Sequence, residues 1–119
     1  MVGLRLIAGV VDDATEAIAM NYKYQDIDIY SCSWGPTDDG VRLEKPGRLL
    51  SLALENGVVN GRDGKGSVFV WAAGNGGSKG DNCNYDGYAN NPFTISIGAI
   101  DSNGESPYYS EKCAALIGI

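Results

Sequence analysis

The sequence predicts an α/β fold organised as a partial doubly wound parallel sheet. Three observations carry that expectation. Strand-like and helix-like segments alternate along the 119 residues, which calls for βαβ crossovers between parallel strands. Two of the strand segments, Ile27–Trp34 and Ser67–Ala72, are largely apolar on successive residues, as expected when both sheet faces are covered. The second of these runs into a loop dense in Gly, Asn and Asp (residues 74–88), and α/β proteins build sites at such strand ends.

The elements follow in order. Val2–Ile7 reads as a short buried strand. Asp12 and Asp13 open a helix, with Asp13 as N-cap and Glu16 placed as in a capping box. Ala14, Ala17, Ile18 and Tyr22 give that helix an apolar face. Ile27–Trp34 is a strand stopped by Gly35-Pro36. Pro46 suits the first turn of a second helix, whose buried stripe is Leu49, Leu50, Ala53, Leu54 and Val58 and which ends at residues 60–64. Ser67–Ala72 and Phe93–Ile100 are further strands, and residues 101–104 form a turn. No linker divides the chain, so residues 1–119 form one domain.

Composition narrows the function. Fifteen acidic against nine basic residues give a net charge of −6, and the basic residues are scattered. Nucleic acid is therefore not expected as a partner, and cationic ligands are favoured. No apolar run is long enough to span a membrane, and the N-terminus lacks the layout of a signal peptide. Three cysteines are too few for a disulfide scaffold. Cys83 and Cys113 both sit in turn-rich segments and could pair, a closure worth about 3.6 kcal/mol in the chain-entropy model. Cys32 reads as a buried strand thiol. The chain contains no histidine, so neither a Ser–His nor a Cys–His pair can form within it. The glycines after Trp71 lack the spacing of a phosphate-binding turn, and Gly64-Lys65-Gly66 lacks the Ser/Thr of a P-loop.

Residues 29–36 (Ile-Tyr-Ser-Cys-Ser-Trp-Gly-Pro) followed by Asp38-Asp39-Gly40, residues 66–77, residues 81–88 and residues 109–113 together resemble kexin-like proprotein convertases, a branch of the subtilisin-like serine proteases. The resemblance covers nearly the whole chain. It implies a subtilisin-like fold and calcium-dependent endoproteolysis of precursor proteins after paired basic residues. Asn75 would be the oxyanion donor. Asp38 and Asp86 would line the pocket for an arginine, whose fixed fork of donors suits two carboxylates. Asp38, Asp81 and Glu111 would hold calcium, a hard cation that takes oxygen ligands. Glu16, Glu44 and Tyr88 would receive a second basic side chain, with Glu44 replacing an aspartate common in the family. Trp34 would shape the cleft wall, and Ser33, Gly35 and Pro36 would form the edge that pairs with the substrate backbone.

The resemblance has departures. Ala8 stands where an aspartate is usual, and the ending Leu116-Ile117-Gly118-Ile119 drifts from the pattern. The family's catalytic Asp, His and Ser motifs are missing, as in a fragment, a truncated gene product or a splice product. Alone, the chain is expected to be inactive and prone to aggregate. The family also implies the secretory pathway, in the Golgi or endosomal system, and there a Cys83–Cys113 bridge would persist. Two other readings stay open: a non-catalytic module that captures basic peptides or calcium, and a plain structural domain with solvated acids.

Overall fold

The computed structural model describes all 119 residues. It contains two helices, α1 (Asp13–Met20) and α2 (Arg48–Gly64), and four strands: β1 (Ile29–Cys32), β2 (Val68–Ala72), β3 (Thr94–Ile97) and β4 (Leu116–Gly118). The strands form one sheet in the order β1-β2-β3-β4. β2 and β3 are parallel, with Phe69 opposite Thr94 and Trp71 opposite Ser96, and β3 and β4 are parallel as well. This is the expected α/β architecture with a parallel sheet. No helix is long and apolar enough to cross a membrane. The chain divides into two compact units, residues 1–30 with 46–68 and residues 31–45 with 69–119.

The first unit is the helix pair. Leu50, Ala53, Leu54, Gly57 and Gly61 form the buried stripe of α2 at helical spacing. Leu50 and Leu54 are fully buried, each worth about 1.5–3 kcal/mol in apolar burial. Leu49, assigned to that stripe by the sequence, is 48% exposed, and Val58 is only half-buried. The helical trace ends in practice after Asn60, because Gly61, Arg62 and Asp63 leave helical φ/ψ.

The N-caps differ from the expected arrangement. Asp12, not Asp13, caps α1 by accepting the Thr15 N–H at 2.8 Å. Asp13 instead caps α2, with its carboxylate accepting the N–H groups of Leu49 (2.9 Å) and Leu50 (2.8 Å). The reason is local: the N-cap position of α2 is Gly47, which has no side chain to offer. The same contact sets the rotation of α1. Asp13 shares one helical face with Glu16, Ala17 and Met20, and these three are half-buried or buried. Ile18 and Tyr22, expected on the apolar face, are 70% and 41% exposed, and Ala14 is exposed too.

Val2–Ile7 forms no strand, and every residue from 1 to 10 except Leu6 is exposed. The segment has no ladder partner, and a lone strand leaves its backbone groups to water.

The second unit carries most of the sheet. Its core includes Phe69 and Trp71 from one face of β2, and Ala73, Cys83 and Ala89, against which Cys113 and Leu116 pack. Burial alternates along the strands, and Ile95 of β3 is 37% exposed. The continuous apolar character of the strands therefore does not translate into two covered faces. The edges are also shorter than the sequence suggested: Trp34, Phe93 and Ile100 lie outside the strands, and β4 forms at residues 116–118, where no strand was expected.

Candidate functional site

Two loops of the second unit are laced together by carboxylates. The segment after β1 turns at Gly35-Pro36 and carries Asp38; the segment after β2 turns at Gly74 and carries Asn75, Gly76 and Asp81. Asp38 Oδ2 accepts the Asn75 N–H at 2.8 Å. Asp81 Oδ2 accepts the Gly40 N–H at 3.0 Å. Lys79 Nζ donates to the Asp38 carbonyl at 2.9 Å. Glu111, from the segment before β4, reaches in and accepts the Gly76 N–H at 2.9 Å. Gly74 has φ +107°, and a Cβ there would overlap the Glu111 carboxylate. Glycine is thus required where the loop passes over this acid.

Asp38, Asp81 and Glu111 each offer an oxygen, and the three oxygens lie within 4.8 Å of one another. Two ligands about 2.4 Å from a central cation lie at most about 4.8 Å apart, so this spacing is compatible with a hard divalent ion. No Lys or Arg side chain forms a salt bridge with any of the three. Glu111 is 2% exposed. Burial, with added repulsion from Asp81, Asp38 and Asp86, pushes its carboxyl up to about 7. A cation in this position would remove that repulsion.

Asp86 adds a fourth carboxylate. Its Oδ1 accepts the Tyr88 N–H (2.7 Å) and, more weakly, the Ala89 N–H (3.3 Å). Its Oδ2 faces Gly35, where a Cβ would stand 2.9 Å from it. Burial raises its pKa above the ordinary carboxylate range, and the charges of Asp38 and Asp81 act in the same sense. Glu44 pairs with Asp86 in an isolated parallel bridge, and the Gly87 N–H donates to the Glu44 carbonyl at 2.8 Å.

The other residues singled out in the sequence fall as follows. Trp34 is half-buried and packs edge-on against Trp71 (4.8 Å between centroids) and Tyr88 (5.2 Å). Its carbonyl accepts the Trp71 indole N–H at 2.6 Å. Ser33 and Gly35 are exposed, Pro36 is half-buried, and none of them belongs to a strand. Glu44 is exposed and sits 3.8 Å from Arg42, which also pairs with Asp39 at 2.9 Å. Glu16 belongs to the first unit, on α1, whereas Glu44 and Tyr88 belong to the second. Cys83 and Cys113 form a disulfide with Cα atoms 5.3 Å apart. Cys32 is buried, and burial pushes its thiol up to about 12, which makes it inert.

A cavity of about 270 Å³ opens at the C-terminal ends of β1, β2 and β3, and Ser33, Ala72, Asn75 and Gly98 are among the residues lining it. None of the four carboxylates lines it. Sequence reasoning did not anticipate the backbone role of Gly76 or the Lys79 contact. The signal for Gly76 was present in the Gly74-Asn75-Gly76-Gly77 run, since glycines allow acids to approach a backbone closely.

Residues 8–118 match the subtilase family profile. Over 117 residues the chain is 52% identical to proprotein convertase subtilisin/kexin type 7 of Homo sapiens, covering 98% of this chain and 15% of that protein. It is 50% identical over 117 residues to kexin of Saccharomyces cerevisiae, covering 98% of this chain and 14% of the relative. A dibasic-processing endoprotease of Yarrowia lipolytica is 51% identical over 113 residues, covering 95% of this chain and 12% of that protein. The chain thus corresponds to a small part of each relative's length, and on this evidence it belongs to the subtilase family.

Proposed function

We propose that this chain supplies the oxyanion donor, the basic-residue pockets and one calcium site of a serine endopeptidase that cleaves precursor proteins after paired basic residues. One observation carries the reading: Asp38 both joins the candidate cation cluster and accepts the backbone N–H of Asn75. An arginine pocket formed by Asp38 and Asp86 would in this way be tied to the carboxamide that meets the developing oxyanion. Calcium, held by Asp38, Asp81 and Glu111, would neutralise the acids and keep the loop formed. Trp34 would wall the cleft, and Ser33, Gly35 and Pro36 would meet the substrate backbone. Glu44 and Tyr88 would take the second basic side chain.

Several facts support this reading. The relatives include proteins named for dibasic processing and for proprotein conversion. The Cys83–Cys113 bridge suits the secretory pathway, where disulfides persist. With no histidine among its residues, the chain alone is expected to bind without hydrolysing. Calorimetry with an Arg-Arg peptide, with and without calcium, tests this. Calcium-dependent binding without cleavage supports the reading; no binding, or turnover by the chain alone, contradicts it.

A further inference from the structure

Four Asn-Gly pairs occur in the chain: 56–57, 60–61, 75–76 and 103–104. The dipeptide is chemically fragile because glycine leaves its own nitrogen unhindered. That nitrogen, on losing its proton, attacks the asparagine side-chain carbonyl carbon. A new C–N bond closes a five-membered imide and ammonia leaves. Water then opens the imide to aspartate or isoaspartate. The net exchange is one water in and one ammonia out, with no redox step.

At Asn75-Gly76 the glycine is dictated by its surroundings. A Cβ on residue 76 would stand 2.9 Å from Asp81 Oδ2 and 3.0 Å from Asp38 Cβ. The close approach of the acids therefore forces the most labile dipeptide onto an exposed asparagine. A third acid, Glu111, opposes the reaction. The Gly76 N–H donates to buried Glu111 at 2.9 Å, and the Asn75 N–H donates to Asp38 at 2.8 Å. Attack requires the Gly76 nitrogen to lose its proton and turn its lone pair onto the side chain. A hydrogen bond into a carboxylate opposes both: the bond must break, and an amide anion would face a negative charge.

We propose that Asn75-Gly76 is a latent deamidation site held shut by Glu111, with Asp38 fixing the backbone of residue 75. Opening the clamp converts a carboxamide, which donates, into a carboxylate, which only accepts. The loss of catalysis that would follow rests on the reading of Asn75 as oxyanion donor; the deamidation itself does not.

The test incubates the 119-residue chain at mildly alkaline pH, native and in urea, and follows each Asn-Gly pair by peptide mass mapping. Asn103-Gly104 is the internal comparator: it lies in an exposed turn, and its Gly104 N–H meets only the Asp101 carbonyl, at 3.1 Å. Native Asn75 should convert roughly tenfold more slowly, or slower still, than in urea, and more slowly than native Asn103. Glu111→Ala should bring Asn75 close to its urea rate, whereas Glu111→Gln, which keeps an acceptor oxygen, should retain most of the protection. A native wild-type rate at Asn75 equal to the urea rate overturns the proposal, independently of how the variants fold.

Discussion

Asp38 Oδ2 accepts the backbone N–H of Asn75 at 2.8 Å, and the same carboxylate belongs to the Asp38–Asp81–Glu111 cluster. One side chain therefore links a prospective cation site to the backbone of the loop that carries the carboxamide. Charge at the cluster and the conformation of residues 74–76 are coupled through it.

That coupling predicts a calcium response. Asp38→Asn, Asp81→Asn and Glu111→Gln each remove one anionic ligand and should weaken calcium binding roughly tenfold or more. Asp101→Asn, in an exposed turn remote from the cluster in sequence, should leave it unchanged. Calorimetric titration with calcium distinguishes the two groups.

The pH dependence has a definite sign. Glu111 is held at about 7 in the folded chain against an ordinary value of 4.5, so the folded state binds its proton more tightly than the unfolded state. Its contribution to stability is complete below about pH 4.5 and is lost as pH rises through about 7. Without calcium, thermal stability should therefore fall across that interval. Calcium favours the ionised carboxylate, so the increment it adds to the melting temperature should grow over the same range.

Asp12 and Asp13 adjoin in sequence but cap different helices, and their variants should behave differently. Asp12→Ala removes one hydrogen bond to α1 and should cost about 1 kcal/mol. Asp13→Ala removes two acceptors from the start of α2, and about 2 kcal/mol is expected. Denaturant melts of the single variants measure both.

Arg42 lies between Asp39 and Glu44 on the exposed segment after β1. A basic substrate side chain recruited by Glu44 would compete with it. Arg42→Ala should raise the affinity for an Arg-Arg peptide by about two- to fivefold, the range of an exposed ion pair. An unchanged affinity would show that Glu44 takes no part.

Much of the fold was legible in the sequence. The strand–helix alternation gave the parallel sheet, because crossovers leave few other topologies. Val-Phe-Val-Trp marked β2, and the glycine-rich run after it marked the turn carrying Asn75. The misreadings have physical causes. Val2–Ile7 has strand composition but no pairing partner in the fold, and composition cannot supply one. Asp13 has the local position of a cap for its own helix, but the unmet N–H groups of α2, 36 residues away in sequence, take its carboxylate. Leu49 and Ile18 match a helical stripe, but periodicity leaves the helix rotation open, and here the Asp13 cap fixes it. In the site, the acids were identifiable individually. Their convergence on Gly76 is a product of tertiary folding.

Peptide capture by the acidic loops is the central expectation. Calorimetry of the wild-type chain with an Arg-Arg peptide in saturating calcium should show binding, and the Asp38→Asn/Asp86→Asn double variant should lose it. Equal binding by the double variant, or none by the wild type in calcium, would contradict the account.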